Sequence, residues 1–326
     1  MDHDLKLGGL LDDRFKITDL IKKGGMGSVY EAIDVTSGRV VAIKVPYLRF
    51  ESDPAFFSRF EREEEVGRRL DHPSVLRVLK VDNKSRPYIV MERLEGELLS
   101  DSLSRGGGLK IPVALGITRQ IAEAMEYMHG QKVIHRDLKP HNVMRCQDGT
   151  LRIMDFGLAK GEALKRITLA GLAGEMGTPD YMSPEQAKGK SGDERSDIYS
   201  LGCMLYTMTT GQVPFPGKDA FIVMNSRIVG DPVAPRRINP QISPEVEEIT
   251  LRAMARDPLE RYSTMKELAQ DVADPSKVIV TDRARRLVAP DLGQVRWRKF
   301  RPLVGAIAVV VAGLIVMLIK SSQVHH

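Results

Sequence analysis

The sequence predicts an α+β chain of two lobes, a small strand-rich one followed by a larger helical one, with an apolar segment near the C-terminus. Three observations carry this. Residues 15–45 contain three β-rich runs separated by Gly-rich turns. From about residue 112 the apolar spacing turns helical. Residues 303–319 read LVGAIAVVVAGLIVMLI, 17 residues without a charge. The 326-residue chain is 42% apolar and 28% charged, which excludes a mostly disordered, collagen-like or polytopic membrane protein.

Taken in order, Met1-Asp2-His3-Asp4 offers no apolar h-region, so no cleavable signal is expected, and residues 1–14 form an N-terminal extension. Strands are expected over 15–20, 28–33 and 40–45, with Thr36-Ser37-Gly38 as a turn. Residues 54–70 read as a charged amphipathic helix with Phe56, Phe57, Phe60 and Leu70 as its apolar positions. A short buried strand follows at 88–91. Helical patterns then cover 112–130, 195–209, 218–229, 243–255 and 264–272, with Pro112 suited to a first turn. Residues 274–302 contain Pro275, Pro290 and Pro302 and read as a basic juxtamembrane linker.

The 303–319 run would span about 25 Å as a helix, slightly short of a ~30 Å hydrocarbon core. Its flanks compensate: Trp297, Arg298, Lys299, Phe300 and Arg301 precede it and Lys320 follows. A buried core helix is the competing reading. Basic residues on the N-terminal flank place the main body in the cytoplasm, with a tail at 320–326 beyond the span.

The net charge of +5 is local. Residues 277–301 carry eight basic and two acidic residues, so the main body is nearly neutral. That distribution suits a tether held near anionic headgroups and speaks against a nucleic-acid partner. Two cysteines, Cys146 and Cys203, exclude a disulfide scaffold or a Cys-rich zinc module, and both read as reduced core residues.

Chemistry begins at Gly24-Gly25-Met26-Gly27, between two strands. Such a run lets a backbone approach a phosphate, though a plain hairpin turn explains it equally well. In Val41-Ala42-Ile43-Lys44-Val45 a buried lysine must find an anion; an edge-strand lysine facing solvent is the alternative. The richest stretch is His135-Arg136-Asp137-Leu138-Lys139-Pro140-His141-Asn142, followed by Asp155-Phe156-Gly157. Asp137 could accept a hydroxyl proton, and Asn142 and Asp155 offer the oxygen ligands a hard cation requires. Gly177-Thr178-Pro179-Asp180-Tyr181-Met182-Ser183-Pro184-Glu185 and Ser196-Asp197-Ile198-Tyr199-Ser200-Leu201-Gly202 come later.

With these motifs in this order, residues 15–273 resemble the eukaryotic-like protein kinase family, in particular bacterial-type Ser/Thr kinases with one membrane span. The resemblance implies a bilobal protein kinase fold, ATP as phosphoryl donor with Mg2+ or Mn2+, and proteins bearing Ser or Thr as substrates. It implies that Asp137 is the catalytic base and that Lys139 steadies the transferring group. Asn142 and Asp155 would hold metal. Lys44 would bind phosphates and pair with Glu63, chosen over Glu61, Glu64 and Glu65 by its spacing before His72-Pro73. Ile21, Gly24, Gly25, Met26 and Gly27 would cover the nucleotide, with Val29 and Ala42 above the adenine. Met91 would be the gatekeeper, with the Glu92 and Leu94 backbones at the hinge. Structural roles also follow: Glu185 would pair with Arg261, Asp197 would anchor the catalytic loop, and His135 would support it. Dimerisation through the small lobe is a family expectation.

One departure stands out: Lys22 occupies the place of the first loop glycine, which predicts altered nucleotide affinity. Arg136 beside Asp137 needs an anion, and Thr168 is the one hydroxyl residue between Leu158 and Gly177, so it leads as activation-loop phosphosite ahead of Thr178. A catalytically weak scaffold and a small-molecule phosphotransferase compete with the membrane-anchored Ser/Thr kinase. Intact Lys44, Asp137, Asn142 and Asp155 oppose the first, and the long 155–185 segment opposes the second.

Overall fold

The computed structural model describes residues 5–25, 27–51, 53–155 and 179–290. Met26, Thr168, Thr178 and the apolar run 303–319 lie outside the described residues, and the basic segment is described only as far as residue 290.

The small lobe is a six-stranded antiparallel sheet. Its strands are β1 (Leu10–Leu11), β2 (Phe15–Lys23), β3 (Gly27–Asp34), β4 (Val40–Pro46), β5 (Val78–Leu79) and β6 (Ile89–Glu92), in the order β1-β2-β3-β4-β6-β5. Alternation sets its faces. On β3, Ser28, Tyr30, Ala32 and Asp34 are buried while Val29 and Glu31 are half-buried. On β4, Val41, Ile43 and Val45 enter the small-lobe core with Phe15, Ile17, Tyr30 and Val90. The period of two then turns Ala42 and Lys44 to the opposite face. Lys44 therefore sits on an interior strand, between β3 and β6, and not on an edge. Gly27 is required by pairing: a Cβ there would lie 2.3 Å from the Val45 carbonyl oxygen.

A short helix, α1 (Leu48–Glu51), leads to α2 (Pro54–Arg69). Phe56 and Phe60 bury against Ile89, and Val66 joins the core of the larger lobe. The chain crosses to that lobe through β7 (Gly96–Leu98) and α3 (Leu99–Ser104). The long α4 (Ile111–Gly130) runs through its centre, with Ile117, Ile121, Met125 and Met128 buried at helical spacing. A three-stranded sheet, β7-β8-β9, adds β8 (Val143–Cys146) and β9 (Leu151–Ile153). Then come α5 (Pro184–Ala187), α6 (Glu194–Thr210), α7 (Ala220–Val229), α8 (Pro235–Ile238), α9 (Pro244–Ala253) and α10 (Met265–Ala273). Asp193 caps α6 by accepting from the Arg195 and Ser196 N–H groups. Fourteen of the 17 residues of α6 are buried, which explains its weak amphipathic pattern in sequence.

Three places differ from expectation. Residues 5–14 join the fold: β1 pairs with β2, and the Leu5 N–H donates to the Tyr30 hydroxyl at 3.1 Å. Cys203 is fully buried but Cys146 is only half-buried at the edge of β8, so it is no core residue. The described part of the basic segment lies against the helical lobe. There Val278 packs on the core, Glu248 accepts from the Thr281 hydroxyl at 2.5 Å, and the Arg283 guanidinium forms an ion pair with Glu248 at 3.0 Å. A buried carboxylate at the lobe base is a ready anchor for a cationic strand, a contact invisible to a reading based on composition.

Among the described residues no helix is long and apolar enough to cross a membrane.

Candidate active site

The cleft between the lobes collects the chemistry-bearing residues. Lys44 Nζ reaches Glu63 Oε1 on α2 at 2.5 Å and Asp155 Oδ1 at 3.3 Å. Burial opposes the Lys44 charge, but the Glu63 and Asp155 carboxylates outweigh it and its pKa is raised. Burial raises the Glu63 pKa above its ordinary value, against the downward pull of Lys44. With contact at 2.5 Å and the side chains 28% and 13% exposed, the ionised pair is the state the geometry supports. The Lys44 ammonium holds the Asp155 carboxyl below its ordinary value.

Asp137 faces this group from the larger lobe. Lys139 Nζ lies 3.0 Å from its Oδ2, and the Asn142 side-chain amide donates to its Oδ2 at 3.1 Å and its backbone carbonyl at 2.8 Å. The loop is held from behind by Asp197, which is fully buried. That carboxylate accepts the His135 N–H at 2.9 Å, the Arg136 N–H at 2.8 Å and the His129 ring Nε2 at 2.9 Å. Arg136 and Asp155 both adopt left-handed backbone, at φ 64° and 53°. Such a conformation costs a non-glycine residue about 1–3 kcal/mol and persists only where its surroundings over-determine it. Around Arg136 they do: Asp197 holds its N–H, and Gln186 Nε2 donates to its carbonyl at 2.9 Å.

A hydrophobic hollow adjoins the charges. Ala42, Leu76 and Met91 are buried together, with Val29, Leu94 and Met154 packed against them. Val29, Ala42, Met91 and Leu94 are expected there from the sequence; Leu76 and Met154 are not. Met154 immediately precedes Asp155, which is the signal that could have found it, whereas Leu76 sits in an irregular segment with none. The Glu92 N–H donates to the Arg77 carbonyl at 3.0 Å. Ile21 falls at a register shift of β2 and is 40% exposed, outside the hollow. Gly24 closes the turn by donating to the Gly27 carbonyl at 2.8 Å, and a Cβ on Gly25 would meet nothing within 4 Å. That leaves the turn open to close approach by a ligand.

Magnesium takes oxygen ligands and retains waters. Asn142 commits its amide nitrogen to Asp137, so its side-chain oxygen is the end that can meet a cation, and Asp155 adds a carboxylate. The Met154 N–H donates to the Asn142 carbonyl at 2.8 Å and keeps the two segments adjacent. The residues present fit that ion. Among the described residues no cluster of three or more His, Cys, Asp or Glu offers an all-protein metal cage.

Lys22 is exposed on β2, and its charge lowers the pKa of both Asp155 and His141. For His141 loss of water is the largest cause, ahead of Lys139 and Lys22. Replacing Lys22 by glycine removes a cation beside a polyanion site. The ATP KM should rise about two- to fivefold in low salt, less in high salt, with kcat within about twofold. Steady-state kinetics at two ionic strengths checks this; an unchanged or lower KM would remove Lys22 from the phosphate site.

Supporting contacts complete the frame. Glu185 receives Arg261 at 2.8 and 2.9 Å, and Ser196 Oγ donates to Glu185 Oε1 at 2.6 Å.

Residues 15–272 match the family described as protein kinase domain. A probable serine/threonine-protein kinase of Streptomyces coelicolor is 38% identical over 277 residues, covering 83% of this chain and 41% of its own length. The serine/threonine-protein kinase PrkC of Bacillus subtilis is 35% identical over 267 residues, covering 82% of this chain and 41% of its own length. The chain thus spans less than half the length of these curated relatives. A crystal structure of the Mycobacterium tuberculosis PknI kinase domain superposes with a TM-score of 0.65 at 23% identity, covering 83% of this chain and 100% of that one. The cleft geometry, the family match and the identity to these relatives agree: this chain belongs to the protein kinase family, in its bacterial Ser/Thr-type branch.

Proposed function

We propose that the chain is an ATP-dependent serine/threonine protein kinase that phosphorylates proteins, itself included, from a membrane-anchored position with its catalytic body in the cytoplasm. The observation that carries the catalytic part is the single cleft in which Lys44 meets Glu63 and Asp155 while Asp137 meets Lys139 and Asn142.

Asp137 accepts the proton of a substrate hydroxyl, and Lys139 neutralises charge on the transferring group. Lys44, locked by Glu63, orients the donor phosphates, and the Val29–Ala42–Met91 hollow takes the adenine. Magnesium, when held by Asn142 and Asp155, supplies neutralisation of phosphate charge. Phosphoryl transfer passes through a loose transition state, so positioning and electrostatics supply most of the acceleration.

Arg136 supports loop phosphorylation as the switch. Its Nε is buried and has no hydrogen-bond partner among the described residues. A phosphate on Thr168 is the anion that would satisfy it. Anchoring through 303–319 and the basic segment rests on their composition, as does attraction to anionic headgroups.

Incubating the purified chain with labelled ATP and Mg2+ or Mn2+, beside Lys44→Met and Asp137→Asn, tests the reading. Label in the wild type alone, mapped by mass spectrometry to Thr168, is expected. Thr168→Ala should lower substrate phosphorylation about tenfold or more, the scale of a lost charge-assisted contact network. Absence of label with nucleotide still bound would favour the scaffold reading.

A further inference from the structure

We propose that Lys84 is a positioning residue for phosphoryl transfer: by holding Glu64 it sets the rotation of α2 that brings Glu63 to Lys44. This rests on the kinase activity proposed above.

Neighbouring residues on a helix project about 100° apart. Glu63 and Glu64 therefore leave α2 on different faces. Glu63 points into the cleft, at 2.5 Å from Lys44. Glu64 points to the back of the small lobe, where Lys84 Nζ donates to its Oε1 at 2.6 Å. Each contact holds one face of the helix. The burial of Phe56 and Phe60 against Ile89 seats the helix, and the two polar contacts together set its fine rotation on that seat.

The seat of Lys84 is built, which separates it from an ordinary surface pair. Lys84 and Glu64 are only 15% and 16% exposed. The ammonium also donates to the Tyr88 carbonyl at 2.6 Å and lies 5.0 Å from the Tyr88 ring centroid. Tyr88 is fully buried, and its hydroxyl donates to Asp12 Oδ2 at 2.7 Å. The same oxygen accepts the Ser85 N–H at 3.1 Å. Asp12 and Asp13 hold left-handed backbone, at φ 50° and 54°. That strain is sustained by the pairing of β1 with β2 on either side of the turn. The order of support thus runs from the N-terminal segment through Asp12 to the 84–88 loop, then to Glu64, α2 and Glu63. Residues 5–14 precede the family match, which begins at residue 15, so the Asp12 end of this chain of support lies outside it.

A merely structural ion pair would change stability and leave turnover of the folded fraction alone. The test therefore separates the two. The full chain carrying Lys84→Met, Glu64→Gln or Lys84→Arg would be compared for kcat, Tm and hydrogen exchange of the α2 amides. We expect the Tm to fall, as it does when one partner of a buried pair is removed, and kcat per folded molecule, read well below that Tm, to fall about tenfold in the two disruptive variants, with α2 exchange faster by a similar factor. Lys84→Arg, which keeps the cation and its donors, should recover kcat to within about threefold of wild type. An inactive wild-type chain would overturn the proposed activity and leave this contact to the exchange measurement, which does not depend on turnover. Unchanged α2 exchange in Lys84→Met, or a kcat per folded molecule equal to wild type, would overturn the role of Lys84.

Discussion

Asp137→Asn should lower kcat by about 10²–10⁴, the span assigned to a positioned general base, while the protein stays folded and binds ATP. The carboxylate is the group at this position that can take a hydroxyl proton; the amide cannot. Lys139 at 3.0 Å and Asn142 at 3.1 Å keep the oxygen aimed into the cleft. An asparagine preserves the shape and one acceptor oxygen, so the Asn142 contact survives. The fold should barely respond, because the Asp137 side chain remains 20% exposed and Asp197 anchors the His135 and Arg136 backbone N–H groups of the loop. The ATP KM should stay within about threefold, since Lys44 and the apolar hollow are untouched. Rapid-quench kinetics beside thermal unfolding reads all three quantities. Activity above about one tenth of wild type would reassign the base and leave Asp137 an electrostatic role.

How much of this was legible in the sequence depends on the range of the contact. Strands β2 to β4 follow from period-two runs, and α4 from Ile117, Ile121, Met125 and Met128, because local spacing dictates which face is buried. The catalytic loop is legible since Asp137, Lys139 and Asn142 lie within six positions. Of the four glutamates within 61–65, Glu63 is the member at Lys44, as the kinase resemblance, with its spacing before His72-Pro73, implies. The destination of Glu64 was not legible. Lys84 lies 20 residues away in an irregular loop, and its partner network depends on Asp12 and Tyr88, which no local pattern links. Leu76 in the hollow and Glu248 under Thr281 escaped for the same reason. Residues 274–290 read as a tether because polar composition records charge density. It does not record the presence of a buried carboxylate across the lobe.

Arg261→Met should cost the fold about 3–5 kcal/mol near neutral pH, the loss typical of removing one partner from a buried ion pair. The Arg261 side chain is fully buried and forks onto both Glu185 oxygens, while also donating to the Ala255 and Arg195 carbonyls. Methionine fills the volume but leaves Glu185 facing a dry interior. Burial opposes the Glu185 charge, yet Arg261 and Ser196 hold its pKa at about 2, against an ordinary 4.5. A carboxyl whose folded pKa lies below its unfolded value binds more protons when unfolded, so stability rises with pH across that interval. The contribution, about 3 kcal/mol, is present above pH 4.5 and is lost as pH falls towards 2. In the variant the cation is gone and burial alone acts, so the Glu185 pKa moves up and the carboxyl protonates on mild acidification. The gap between wild type and Arg261→Met should therefore be widest near pH 7 and narrow as pH drops below 4.5. At pH 7 it corresponds to a Tm difference of about 6–20 °C for a domain of this size. Urea midpoints at pH 7, 5 and 3.5 would follow it. A gap that stays constant with pH would mean that Arg261 stabilises through its carbonyl contacts, and that the ion pair with Glu185 contributes little.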